Sequence, residues 1–495
     1  MRSLATLAPV ITGLQLASCT PQGVPCASLT PVPPTGSSII NVTATEAYNV
    51  TVEATSTTVN ICDVQVFLTH GTAGDEVRIG IWLPLSGWNG RWQGTGGSGW
   101  AAGLFETFLG PAVADGYAAG STDAGVGISI NPHAWANDTQ LVTNYLHLSP
   151  HEMTLVGKQV MSMFYGQSPG YSYWLGCSNG GRQGYSEAQL YSEDYDGIYA
   201  AAPAINWDRL VPAEFWPSLV QNEGPDWADA CRLWAIGNAS IAACDLDDGG
   251  QDGLIGNPLT CSFDARSLIG EPVATDGCNR SFISEYDAAV WNAIRDGPVD
   301  QDGNNLWYGL TPGTEFDWLA TEPAFTIPRD WITDFLLRSP GYDVDGIDYD
   351  QYLALYSEST SDFHASWGMD NPDLTAFEQR GGKLLTWHGW ADELIFPQGT
   401  LDYWKRVIDV LGGEKNVDDF YRVFMAPGVG HCGGGYGPSP TDPLAALVRW
   451  VEDGEAPETL PALGGGQTRD LCKHPKGLVY KGSGNVDEAN NWECK

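Results

Sequence analysis

The stretch Tyr171-Ser172-Tyr173-Trp174-Leu175-Gly176-Cys177-Ser178-Asn179-Gly180-Gly181 constrains this chain more than any other. Residues up to Trp174 suit a strand, and those after Ser178 can be helical through Leu190. A strand that turns sharply into a helix holds the residue at the turn in a strained conformation with its side chain exposed. Gly176 and Gly180 flank Ser178 so that neither element clashes. In a chain with 60 glycines, Gly-x-Ser-x-Gly also arises by chance, so its weight depends on its surroundings. The first of these is Cys177, directly before the serine.

The rest of the chain reads as α/β around this turn. Residues 20–60, rich in Thr, Ser, Pro and Val, read as an extended lead-in with short strands. Alternation predicts a strand over 76–84, and 117–121 reads as a short buried one. Met153, Val156, Val160, Met161 and Phe164 recur at helical spacing across 151–165, and a strand is expected over 197–202. Between about 206 and 373 the succession of strand and helix weakens, Asp and Trp accumulate, and nine of the 20 tryptophans fall there. It returns with a strand at 383–387, a helix at 401–411, a strand at 420–425 and a helix at 443–451. The expected architecture is an α/β-hydrolase fold, residues 20–205 and 376–495, interrupted by a large lid domain over 206–375.

Residues 1–19 have one positive charge, an apolar run and small residues near the end, the pattern of a secretory signal peptide. Five Asn-x-Ser/Thr sequons, at Asn41, Asn49, Asn137, Asn238 and Asn279, fit a glycosylated, secreted product. Removing Cys19 with the signal leaves ten of the 11 cysteines, an even number suited to disulfides in an oxidising compartment. Net charge is −37, which disfavours nucleic acid and anionic membranes as partners. No later apolar run reaches the length of a membrane span.

A serine hydroxyl is a poor nucleophile until an adjacent base, itself oriented by a carboxylate, takes its proton. In α/β-hydrolases these partners follow in the order Ser, Asp, His. After Ser178, Asp392 lies in His388-Gly389-Trp390-Ala391-Asp392, following one strand, and His431 lies in Gly428-Val429-Gly430-His431-Cys432, following the next. His388 is a rival base, although it precedes Asp392. Cys432 follows His431 as Cys177 precedes Ser178. A bridge between these cysteines would hold their Cα atoms about 4.4–6.8 Å apart and set serine and histidine side by side. The alternative is that each cysteine pairs elsewhere.

The developing oxyanion needs aimed donors, and the N–H of Asn179, next after the serine, is one. The run Gly94-Thr95-Gly96-Gly97-Ser98-Gly99 is a second source or merely a tight turn; lacking a following Lys-Ser/Thr, it is not a nucleotide-phosphate loop. In Asp245-Leu246-Asp247-Asp248-Gly249-Gly250-Gln251-Asp252-Gly253-Leu254, spaced carboxylates and glycines let oxygens converge on a hard cation, Ca²⁺ above others. An acidic surface loop without metal is the other reading. The loop lacks an EF-hand's final glutamate.

Gly-Cys-Ser-x-Gly-Gly at 176–181, His-Gly-x-x-Asp at 388–392 and Gly-x-x-His-Cys at 428–432 together resemble the fungal tannase/feruloyl esterase family, from about Cys26 to Cys494. The resemblance implies Ser178 as nucleophile, His431 as base, Asp392 as its orienting acid, and a Cys177–Cys432 bridge. It implies Gly97 beside Asn179 as oxyanion donor. It implies a structural Ca²⁺ held by Asp245, Asp248 and Asp252 side chains and the Gly250 and Leu254 carbonyls, with Asp247 facing solvent and no organic cofactor. Cys244–Cys261, Cys472–Cys494 and Cys26–Cys62 follow from family spacing, which leaves Cys231 and Cys278 to pair by elimination. The expected substrates are phenolic esters, feruloyl or hydroxycinnamoyl groups on plant material first, and galloyl or other small aromatic esters as the alternative. A non-catalytic, calcium-stabilised binding protein is a remote alternative. Either a monomer or a homodimer is compatible with this reading.

Overall fold

The computed structural model describes residues 23–54, 56–71, 74–128, 131–224, 227–273, 278, 282–316 and 318–495. The expected signal segment and the Asn279 sequon lie outside the described residues.

The chain builds a nine-stranded mixed sheet from β1 (Ser37–Val52), β2 (Thr57–His70), β3 (Val77–Pro84), β4 (Arg91–Thr95), β5 (Ala118–Thr122), β6 (Tyr171–Cys177), β7 (Gly197–Ala201), β8 (Lys383–Gly389) and β9 (Tyr421–Ala426). Their order is β1-β2-β3-β5-β4-β6-β7-β8-β9. Pairing is antiparallel from β1 to β5 and parallel from β5 onward. Because β4, β6, β7, β8 and β9 run parallel, the loops after them emerge at one edge, where ligands of open α/β sheets bind.

Helices cover both faces of the parallel part, which is why every residue of β9 is buried instead of every second one. On one face α2 (Ser149–Tyr165), α3 (Asn179–Leu190) and α8 (Pro397–Val410) share a core with Trp92, Trp174 and Val423. On the other, α1 (Glu106–Ala114) and α9 (Pro443–Asp453) pack on Tyr173, Leu385 and Phe424. The lead-in differs from expectation: β1 and β2 form a long hairpin of 16 and 14 residues instead of short strands. As the edge strand, β1 buries only Val52 fully, so polar residues dominate it and its hydrophobic signal is weak.

Between β7 and β8 the chain leaves the sheet and forms a mainly helical insertion, with α4 (Trp207–Asn222), α5 (Ala230–Cys244), α6 (Glu285–Asp296) and α7 (Tyr349–Trp367). Side-chain caps start three of these helices: Asp229 caps α5, and Ser284 with Asp287 and Asp348 with Gln351 form capping boxes on α6 and α7. Trp207, Trp216, Trp291, Trp307, Trp331 and Trp367 are buried, whereas Trp234 and Trp318 are exposed. Most of the tryptophan excess is therefore core. Trp100, from the loop after β4, joins that core with its ring 5.2 Å from Trp207 and 5.4 Å from Phe335.

Five disulfides are present among the described residues: Cys26–Cys62, Cys177–Cys432, Cys231–Cys278, Cys244–Cys261 and Cys472–Cys494. Among the described residues no helix is long and apolar enough to cross a membrane.

Candidate active site

Ser178 stands between the last residue of β6 and the first of α3, with φ 63° and ψ −125°. A non-glycine residue is held there only if its surroundings over-determine it. Here the Ser178 N–H donates to the Ala201 carbonyl, and its own carbonyl accepts from Arg182 and Ala204. The crossing is tight. A Cβ on Gly176 would lie 2.3 Å from the Gly180 carbonyl oxygen, and one on Gly180 would lie 3.0 Å from that of Gly97.

The loops after β8 and β9 meet this turn. The bridge between Cys177 and Cys432 holds their Cα atoms 6.0 Å apart across 255 residues of sequence. His431 Nδ1 lies 2.9 Å and 3.1 Å from the two carboxylate oxygens of Asp392. Its backbone N–H donates to Glu393 Oε2 at 2.9 Å. Asp392 is fully buried and accepts four donors: His431, His388 Nε2 at 3.1 Å, and the N–H groups of Leu394 and Ile395 at 2.9 Å and 2.8 Å. Burial would raise its pKa, but the positive charge of His431 and the hydrogen bonds from both histidines outweigh burial and hold it well below the usual carboxylate range. For His431, burial disfavours the charged ring, yet Asp392, joined by Glu393, outweighs it and raises the pKa above the ordinary 6.5. His388 contacts the same carboxylate oxygen, Asp392 Oδ2, as His431. Its Nε2 also faces the Ile395 carbonyl, and its Nδ1 faces Thr400 Oγ1 at 2.9 Å, so neither ring nitrogen is free for Ser178.

Ser178, Asn179 and His431 line one cavity of about 130 Å³. Its walls are mostly aliphatic and aromatic: Leu210, Val211 and Trp207 from α4, Phe325 and Ile327 from the insertion, and Leu394 and Ile395 from the loop after β8. Glu214, also on α4, is the acidic residue in that wall, and sequence reasoning missed it because a helical glutamate ordinarily marks a solvent face. Asn179 is the first residue of α3, where backbone N–H groups lack helical acceptors. Gly97 does not sit as expected. Its N–H donates to Gln183 Oε1 at 2.9 Å and its carbonyl accepts from Gly180, so it braces the loop against α3. Ser98 and Gly99 are the loop residues that line the cavity.

In the acidic loop, Asp245 Oδ1 accepts the N–H groups of Asp252 and Gly253, Asp248 accepts from Gly250, Asp252 accepts from Leu254, and Asp252 pairs with buried Arg469. Among the described residues, a different group brings His, Asp and Glu atoms within 4.8 Å of one another, as a metal site requires: His151, Glu187 and Asp194. His151 Nδ1 already lies 2.5 Å from Asp194 Oδ2 there. Asn41, Asn49, Asn137 and Asn238 are all exposed.

A mixed α/β sheet that presents a serine, a carboxylate and an imidazole on the loops after its parallel strands is the framework of a serine esterase. The Tannase and feruloyl esterase family matches residues 62–495. A probable feruloyl esterase of Arthroderma benhamiae is 40% identical, over 95% of this chain and 93% of its own length. Feruloyl esterase B of Aspergillus niger is 30% identical, over 92% and 90%. Among solved structures, tannin acyl hydrolase from Aspergillus niger superposes with a TM-score of 0.83 at 27% identity, covering 94% of this chain and 93% of that one. Feruloyl esterase B from Aspergillus oryzae gives 0.82 at 26%, covering 94% and 98%. The chain belongs to the tannase and feruloyl esterase family and is a carboxylic ester hydrolase of that type.

Proposed function

We propose that this chain hydrolyses phenolic esters, hydroxycinnamoyl esters of the feruloyl kind foremost, through an acyl-enzyme on Ser178. The observation that carries this reading is the shared cavity of Ser178 and His431, with His431 Nδ1 bound to a fully buried Asp392. With Nδ1–H donating to Asp392, the other ring nitrogen is left to act as base. His431 takes the Ser178 proton as Oγ attacks the ester carbonyl, and the oxyanion is met by the Asn179 N–H. Gly99, which lines the cavity, is the loop's candidate for the second donor. His431 then protonates the departing alcohol. In the second half His431 deprotonates water, which attacks the acyl carbonyl and frees the acid and Ser178.

The insertion, residues 206–375, acts as a lid: α4 and the segment around Ile327 close the cavity from above the sheet. Its acidic loop binds a structural Ca²⁺ through Asp245, Asp248 and Asp252 and the carbonyls of Gly250 and Leu254. The donor set is all oxygen, as that ion prefers. Burial, with the charges of Asp252 and Asp245, pushes Asp248 up to about 7. The five disulfides and the exposed asparagines of four sequons support a secreted, glycosylated product.

The test is hydrolysis of methyl ferulate, methyl caffeate, methyl sinapate and methyl gallate by wild type and Ser178→Ala. Turnover of the hydroxycinnamates, lost by roughly ten-thousand-fold or more in the variant, is expected. Turnover of gallate alone would make the enzyme a tannase, and equal rates in both proteins would defeat the esterase mechanism on Ser178.

A further inference from the structure

Helix α4 presents Trp207, Leu210, Val211 and Glu214 to the cavity that holds Ser178 and His431. These positions follow i, i+3, i+4, i+7, one continuous face of a helix. Three of them are apolar, as a packed face should be. The fourth is a carboxyl, only 3% exposed, and its Oε2 is buried without a hydrogen-bond partner among the described residues. A carboxyl removed from water without a partner is costly, most of all in its charged form. Burial first, and then the negative charge of Asp392, push its pKa well above the ordinary carboxyl range. That shift favours the protonated form, which can both donate and accept. The cavity wall has an unused hydrogen-bonding group where a substrate would lie.

We propose that Glu214 is the specificity-determining residue of the acyl pocket: its carboxyl hydrogen-bonds a phenolic hydroxyl on the acyl ring while Trp207, Leu210 and Val211 pack against the ring itself. This rests on the reading that the acyl group of an aromatic ester enters this cavity. A ring without a hydroxyl leaves the carboxyl unpaired on binding, and a hydroxylated ring satisfies it. The enzyme then discriminates by ring chemistry and not by ring size.

The experiment compares kcat/KM for methyl cinnamate, which has no ring hydroxyl, with methyl 4-hydroxycinnamate, in wild type, Glu214→Leu and Glu214→Gln. Wild type should favour the hydroxylated ester by about 10- to 100-fold, the range set by one buried hydrogen-bonding group left unpaired. In Glu214→Leu that ratio should collapse towards one, and Glu214→Gln, which still donates and accepts, should restore most of it. A residue that only supported the helix would change both esters alike and leave the ratio in place, and that result would overturn the proposal. So would a wild type that turns over both esters equally, a comparison that holds even if Glu214→Leu does not fold. If wild type hydrolyses neither these esters nor 4-nitrophenyl acetate, the esterase reading falls, and this inference with it. If it hydrolyses 4-nitrophenyl acetate but neither cinnamate, the esterase survives and the phenolic pocket does not.

Discussion

The loop after β8 and the helix α4 each bury a carboxyl at the site, Asp392 behind His431 and Glu214 in the cavity wall. Both are almost wholly out of water, at 0% and 3% exposure. Asp392 accepts two imidazoles and two backbone N–H groups and is held ionised. Glu214 Oε2 has no hydrogen-bond partner among the described residues, and burial pushes its pKa well above the usual carboxyl range. Depth is the same; the supply of donors differs. The sheet side thus provides a fixed negative charge to steer a base, and the insertion side a buried carboxyl with an unmet hydrogen-bonding oxygen.

The strongest way to break that contrast is Asp392→Asn. Losing the charge that orients and stabilises His431 should lower kcat by about ten-thousand-fold on every ester. A loss that depended on ring hydroxyls would mean the two carboxyls had been assigned the wrong way round. Next in size is the clamp that holds the sheet side together. Replacing Cys177 and Cys432 with serine should remove about 2–5 kcal/mol of stability, read by urea unfolding. An unchanged midpoint would show that packing alone positions the two loops. Chelating the Ca²⁺ proposed for the acidic loop tests the insertion side. It should lower Tm reversibly, by an amount corresponding to about 2.7 kcal/mol if free calcium had been a hundred times Kd, while Asp248→Asn should blunt the response. A Tm indifferent to chelator would return the acidic loop to a plain surface turn. The smallest effect is in pH. His431 must be neutral to act as base, and its raised pKa places the acid limb of kcat/KM above 6.5. Glu393 contributes to that rise, so Glu393→Gln should move the limb downward; an upward shift would contradict the sign.

Much of the sheet side was legible in sequence because its signals are local. The turn at Ser178 carries its own glycines, and the strands before Asp392 and His431 are short, mostly apolar runs. The predicted strand over 420–425 and helix over 443–451 lie within a residue or two of Tyr421–Ala426 and Pro443–Asp453. The long β1–β2 hairpin was not legible, since an edge strand with one wet face needs few apolar residues. Gly97 was drawn to the wrong task because a glycine-rich loop does not disclose which N–H points where; Gln183, more than 80 residues away, decides that. Glu214 was invisible for a related reason. Nothing in Pro212-Ala213-Glu214-Phe215 says that its helix turns that face toward Ser178, and only tertiary packing makes the carboxyl buried.

The Cys177–Cys432 bridge also imposes an order in time. Ser178 leaves the ribosome long before His431, and the bridge beside them joins residues 255 positions apart. A nascent chain therefore carries the serine, its strand and its helix while the base and the second sulfur have yet to be made. The clamped site closes only near the end of synthesis, once both thiols have met an oxidant.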